Sequence, residues 1–187
     1  MSDKQVIIKL HPQPEEFVEA ETAFLRAVGL CITRWAFVDR FLFRLFRRGI
    51  GVATHRAAIV YYENPSMSQK LKLVDTLLKE LFEGEAHEEL RDWWKSLREQ
   101  INELMPTRNI VAHQPVRRLG ASDGEKAVYI YGIHIEPYLR YAKKQHKGMK
   151  GKDALLTEDL IAHSEKVEEL TVELGVFAKK LAGIFRD

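Results

Sequence analysis

The chain has 187 residues, of which 45% are hydrophobic and 30% are charged, as in an ordinary globular domain with a buried core. The formal net charge is only +2, so a nucleic-acid-binding surface would have to come from a local cluster of basic residues. A single cysteine, Cys31, excludes an internal disulfide and a multi-cysteine metal site, and it favours a core residue in a reducing, cytoplasmic compartment.

Neither a signal peptide nor a membrane span is predicted. Residues 1–9 lack the apolar stretch and the cleavage site of a secretory signal. The most apolar region, residues 23–46, is interrupted by charged side chains and therefore suggests a buried amphipathic helix. We expect one domain over residues 1–187, with a short N-terminal tail at residues 1–13.

Helical periodicity dominates the chain up to residue 113. A long first helix is predicted from Pro14 to about Arg47, and its apolar stripe includes Trp35 and the carboxylate of Asp39. A carboxylate that faces a core needs a cationic or hydrogen-bonding partner. Further helices are predicted at residues 53–62, from a cap at Ser66 or Ser68 to Leu81, and from near Glu85 to the proline at 106, which should kink or restart the last of them.

The pattern changes after Pro115. Residues 116–119 and 127–135 flank a turn at residues 122–124 and predict a β-hairpin, so residues 116–135 form an insert. Thr157 is predicted to open a last helix. Together these elements predict an all-α fold, an antiparallel helical bundle of about five helices with a small β-hairpin insert.

Residues 140–152 form a basic loop without acidic residues. Its cations could follow a phosphate backbone, so we take Arg140, Lys143, Lys144 and Lys147 as candidate RNA-binding residues. A solvated loop with no ligand is the alternative interpretation.

The stretch Arg108–His113 stands at the end of the fourth predicted helix. Arg108 continues the inward stripe of that helix, which makes Asp39 a candidate partner for it. Asn109 follows the arginine directly and lies four residues before His113, on the same helical face. Two other Arg–His pairs have similar spacing, but Arg140 and His146 lie in the basic loop, and Arg48 and His55 lie on either side of a glycine turn.

This stretch, together with Trp35 and Asp39 in the first helix, resembles the signature of the HEPN superfamily. Domains of that family are helical bundles in which an arginine, commonly followed by a polar residue such as asparagine, precedes a histidine by a few positions. The resemblance covers about residues 14–185. In the active members of the family it implies a metal-independent endoribonuclease that works as a homodimer, so we expect no cofactor.

The residue types make that chemistry intelligible. His113 would move a proton at the RNA 2′-hydroxyl or at the leaving 5′-oxygen, and Arg108 would bind the phosphate. Asn109 would orient the imidazole or hold the substrate, and Asp39 would support the site. The resemblance also suggests a toxin or defence role with a cognate antitoxin protein as partner.

Two other interpretations compete with catalysis. The same fold could be a non-catalytic module that binds RNA, a nucleotide or a partner protein. Alternatively, Arg108 could only pair with Asp39, and His113 could only cap the helix end by bonding its last carbonyls. His55, His87 and His163 lack metal-ligand spacing, so we expect no zinc site.

Overall fold

The structure is a computed structural model that describes residues 15–122, 128–135 and 154–184. The predicted tail at residues 1–13 and the basic loop at residues 140–152 lie outside the described residues. The described elements are α1 (Glu15–Ile50), α2 (Thr54–Tyr62), α3 (Met67–Leu81), a short 3-10 helix (Glu85–His87), α4 (Glu88–His113), β1 (Val116–Ser122), β2 (Val128–Ile135) and α5 (Thr157–Ile184). The predicted all-α bundle with a β-hairpin is therefore confirmed.

Local signals explain where the helices begin and end. Ser66 caps α3, because its hydroxyl accepts the Gln69 N–H at 3.2 Å and the Gln69 side chain accepts the Ser66 N–H at 3.3 Å. Asp159 accepts the Leu156 N–H at 3.1 Å, and this bond stabilises the first turn of α5. After α1, Gly51 takes the left-handed conformation with φ of +63°, which glycine adopts without strain.

The sequence predicts that Pro106 kinks or restarts the fourth helix, and the restart is wrong, because α4 is one helix from Glu88 to His113. The proline removes one backbone N–H donor. Met105 and Ile110 are buried on either side of it, so tertiary packing holds both flanking turns in place.

Contacts between side chains give the directions of the helices. Successive helices alternate in direction: Lys180 at the end of α5, for example, pairs with Glu89 at the start of α4. Helices α1 and α5 run parallel, since Cys31 bonds to Leu160 while Arg48 reaches Ala178. The first and last helices of the chain thus share one long seam.

The buried apolar residues form two clusters. The larger core contains residues of all five α-helices, with Trp35, Leu42, Tyr61 and Phe177 among its members. The smaller core joins the first half of α1, the end of α4, β2 and the start of α5, and its buried members are Phe24, Ala27, Cys31, Ile110, Val111, Ile135, Leu155 and Leu160. No helix in the described part of the chain is both long enough and apolar enough to cross a bilayer.

The hairpin is tied to the bundle through the smaller core. Strands β1 and β2 pair antiparallel, with a register shift between Leu119 and Gly120. Ile135 and Leu155 exchange two backbone hydrogen bonds, of 3.2 and 2.9 Å, and both side chains are buried. The end of β2 is therefore fastened to the residues that lead into α5.

A buried hydrogen bond crosses the seam between α1 and α5. The indole N–H of Trp35 donates to Nε2 of His163 at 3.0 Å, and both side chains are buried. Because Nε2 accepts this bond, the His163 ring is neutral and carries its proton on Nδ1. Burial, with a smaller contribution from the charge of Lys166, lowers the pKa of His163 from 6.5 to about 4.

This histidine makes folding sensitive to acid. In the unfolded chain His163 gains a proton below pH 6.5, whereas in the folded chain it does so only near pH 4, so the stability it contributes is lost as the pH falls through that window. The loss amounts to roughly 3 kcal/mol, since one pKa unit corresponds to about 1.4 kcal/mol.

We expect His163→Gln, which keeps an acceptor for Trp35 but cannot titrate, to flatten the dependence of the free energy of unfolding on pH, measured by urea unfolding between pH 7 and pH 4. His55→Gln, a change at an exposed histidine, is the matched control and should retain the slope.

Candidate functional site

Two buried apolar side chains and a change from helical to extended backbone fix the end of α4. Ile110 and Val111 are buried in the smaller core. Gln114 is extended, with φ of −98° and ψ of 143°, as expected for a residue before proline, and its N–H closes the helix on the Ile110 carbonyl at 2.9 Å. The remaining side chains of the motif are therefore left half-buried or exposed at the edge of the bundle.

Arg108 lies half-buried beside a cavity of about 240 Å³ between α1, α3 and α4. Its Nη1 donates to the side-chain oxygen of Asn109 at 3.1 Å. Within the described residues no carboxylate pairs with this guanidinium. Its other N–H groups are consequently available to an anion.

The prediction that Asp39 pairs with Arg108 is wrong. Both carboxylate oxygens of Asp39 accept from Lys70 Nζ, at 3.1 and 3.2 Å, and one also accepts the Tyr61 hydroxyl at 2.9 Å. Lys70 stands on α3 and lies over the rings of Tyr61 and Tyr62 at 5.0 and 4.8 Å. The carboxylate is thus satisfied by α2 and α3, and Arg108 on α4 has no ion-pair partner among the described residues.

The same cavity brings Lys70 and Arg108 together, because both line it along with Asp39. Trp35 and Cys31 form part of its apolar wall. Burial raises the pKa of the Cys31 thiol to about 11, and the thiol donates to the Leu160 carbonyl, so it is not a nucleophile at neutral pH. A cavity with two cations and one carboxylate is suited to hold a small anionic group such as a phosphate.

His113 is exposed at the last position of α4 and does not line this cavity. The cap role considered for it has no support in the described part of the chain, where the ring makes no bond to a helix carbonyl. Asn109 contacts Arg108 and not the imidazole. The motif therefore presents a guanidinium held by Asn109 and, five residues further along the helix and on another side of it, an exposed histidine.

Two residues of this region were not predicted from the sequence. Lys70 stands three residues after Met67 and four before Val74, both buried, so helical spacing alone places it on the inward face of α3. His163 similarly lies three residues after Leu160 and four before Val167 on α5. In both cases, a polar residue stands where helical spacing predicts a buried apolar one, and this is the pattern that could have identified it.

Some of the predicted residues are not described by the structure, and others lie away from the site. The candidate RNA-binding residues Arg140, Lys143, Lys144 and Lys147 lie outside the described residues. Of the alternative pair, Arg48 bonds to the Ala178 carbonyl at 3.4 Å across the α1–α5 seam, and His55 is exposed on α2. Within residues 15–122, 128–135 and 154–184, no group of three or more metal-ligating side chains is found.

No protein-family model, curated protein or solved structure matches this chain. The site's chemistry must therefore be argued from its own residues.

A double-mutant cycle can test whether Asp39 pairs with Lys70 and not with Arg108. We expect Asp39→Asn and Lys70→Met to show a coupling energy of about 1 kcal/mol in chemical denaturation, because the pair is direct but partly exposed. Asp39→Asn and Arg108→Ala should be additive within about 0.5 kcal/mol, since these side chains make no bond. Strong coupling of the second pair and none of the first would contradict the observed arrangement.

Proposed function

We propose that the chain is a metal-independent endoribonuclease of the HEPN type. The observation that supports this most is Arg108. Its guanidinium is half-buried, held by Asn109 and unpaired with any carboxylate of the described residues, close along α4 to an exposed histidine. A positive charge left without a counter-charge at a cavity costs folding energy, and such residues are common at functional sites.

Each residue has a role in the proposed reaction. Arg108 binds the scissile phosphate through its free N–H groups and stabilises the charge that develops on the phosphorane. Asn109 fixes one end of the guanidinium and so positions it. His113 takes the proton of the 2′-hydroxyl or delivers one to the leaving 5′-oxygen, and the products are a 2′,3′-cyclic phosphate and a 5′-hydroxyl. Lys70, paired with Asp39, lines the same cavity and contributes an N–H donor to binding of the phosphate.

The motif supplies a single histidine, His113, which is little for a reaction that needs both an acid and a base. The proposal therefore includes a homodimer in which two copies of Arg108 and His113 meet in a shared cleft. A toxin or defence role in the cytoplasm, with an antitoxin protein as partner, belongs to the same proposal.

A non-catalytic module that binds RNA or a nucleotide is the second candidate. This second candidate is favoured because Arg108 and Lys70 line the cavity, whereas His113 does not. In this case the two cations hold a phosphate group and no bond is broken.

Cleavage of a labelled single-stranded RNA in the presence of EDTA tests the first candidate. We expect His113→Ala to lower the rate about 10²–10⁴-fold, because it removes the general acid–base group. Arg108→Ala should lower it about 10²–10³-fold by removing charge stabilisation at the transition state. His55→Ala, which alters the histidine of the alternative motif, is the matched control and should leave the rate unchanged.

The products and the binding data separate the candidates. A 2′,3′-cyclic phosphate end that disappears in His113→Ala supports the nuclease. If the intact protein binds RNA, loses that binding in Arg108→Ala and never cuts, the second candidate is correct. Equal cleavage by His113→Ala and the intact protein would show that the activity belongs to another site or to a contaminant.

The shared cleft predicts complementation between inactive chains. A dimer formed from one Arg108→Ala chain and one His113→Ala chain retains one arginine and one histidine in the cleft. After mixing by mild denaturation and refolding, we expect such heterodimers to recover measurable cleavage that neither variant shows alone. A strictly monomeric protein in sedimentation experiments would exclude a shared cleft. Mixtures as inactive as their parents would show that one Arg108 and one His113 from different chains do not suffice for cleavage.

A further inference from the structure

A long groove runs along the α1–α5 seam, away from the Arg108 cavity. It has a volume of about 810 Å³ and is bounded by the last turns of α1, the start of α2 and the second half of α5. Its floor is apolar, with Phe41 on α1 facing Gly175 and Val176 on α5. A Cβ at Gly175 would lie 3.4 Å from the Phe41 ring, at ordinary van der Waals distance, so the ring packs directly against this position of α5.

Large apolar side chains on this side of the bundle are exposed to solvent. Val172 is 65% exposed and Val176 is 51% exposed, and both line the groove. Phe37, one helical turn before Phe41, is 43% exposed. Adjacent exposed apolar side chains of this size usually mark an interaction surface.

The walls of the groove are cationic. Five exposed basic residues line it: Arg40, Arg44, Arg47, Arg48 and Lys179. None of them forms an ion pair within the described residues, and no lining residue is acidic. Their hydrogen bonds go to neutral oxygens, from Arg47 to the Thr54 hydroxyl and from Arg48 to the Ala178 carbonyl, and Arg44 stacks on Phe41. The positive charge is thus left for a partner to neutralise.

The charge and the shape of the groove limit which kind of partner can bind in it. A second copy placed symmetrically would bring the same cations face to face, and like charges at an interface are costly. Nucleic acid would neutralise the cations, but its interfaces are polar and would leave the valines uncovered. A flat lipid surface would leave the concave groove between the two helices unfilled.

We propose that the groove is a docking site for an acidic amphipathic helix of a partner protein. The apolar stripe of such a helix covers Phe41, Val172 and Val176, and its flanking glutamate or aspartate side chains pair with the arginines of α1 and with Lys179. This site is separate from the cavity of Arg108, and it does not depend on the chain being a nuclease.

The test uses a fluorescein-labelled helical peptide of about 18 residues, with leucine at positions i, i+3, i+4 and i+7 and glutamate between them. We expect saturable binding in fluorescence anisotropy. Val172→Glu and Arg44→Glu should each weaken it about tenfold or more, since they place a carboxylate against the acidic helix. Val172 is so exposed that this change does not disturb the core, and circular dichroism of each variant verifies the fold.

Matched controls define the specificity. Lys95→Glu makes the same charge change as Arg44→Glu, at an exposed position on α4, and should leave the affinity unchanged. Arg108→Ala should also leave it unchanged, which separates this site from the proposed nuclease site. A scrambled peptide of equal composition and a peptide with lysine in place of glutamate should not bind.

Three results would overturn the proposal. The first is the absence of peptide binding, or equal binding by Val172→Glu. The second is equal binding of the scrambled peptide, which would indicate only a charge effect. The third is binding of phosphatidylserine vesicles or of a single-stranded RNA that is lost in Val172→Glu while the acidic peptide does not bind.

Discussion

Helix α1 carries polar groups on its buried side, and the arrangement of the bundle depends on how the other helices satisfy them. Cys31 donates to the Leu160 carbonyl, Arg34 to the Ser164 hydroxyl and Trp35 to His163, all on α5. One turn after Trp35, Asp39 is bonded from α2 and α3. A buried polar group without a partner costs roughly 1–3 kcal/mol, so these bonds set the rotation and the register of α1 against its neighbours, beyond what apolar packing alone requires.

The same requirement explains why the end of α4 carries an arginine without an ion-pair partner among the described residues. Once Lys70 and Tyr61 satisfy Asp39, no carboxylate of the described residues remains near Arg108 to neutralise it. The guanidinium is still held in one place by Asn109, and the helix below it is anchored by Ile110 and Val111 in the smaller core. A rigid backbone thus presents a positioned cation and an exposed histidine, and positioning of this kind is what phosphate chemistry demands of a protein.

The bundle presents two surfaces with different chemistry. The cavity beside Arg108 is small and contains a neutralised cation next to a free one. The groove along the α1–α5 seam is larger and apolar, with unpaired cations on its walls. Because α1 contributes to both, through Asp39 on one face and Arg44 on another, a partner in the groove and a ligand in the cavity would contact the same rigid helix.

Much of the fold was readable from local sequence patterns. Apolar periodicity predicted the helices and the alternation after Pro115 predicted the hairpin, because these signals arise from neighbours along the chain. The motif and its position at the end of α4 were readable for the same reason.

Pairings between distant segments could not be read from the sequence in this way. The sequence suggested Arg108 as the partner of Asp39, and only the packing of α3 against α1 brings Lys70 to this carboxylate instead. The burial of His163 against Trp35 and the open groove over Phe41 also follow from how α1 and α5 lie side by side, a parallel contact between residues more than a hundred positions apart that no local pattern encodes.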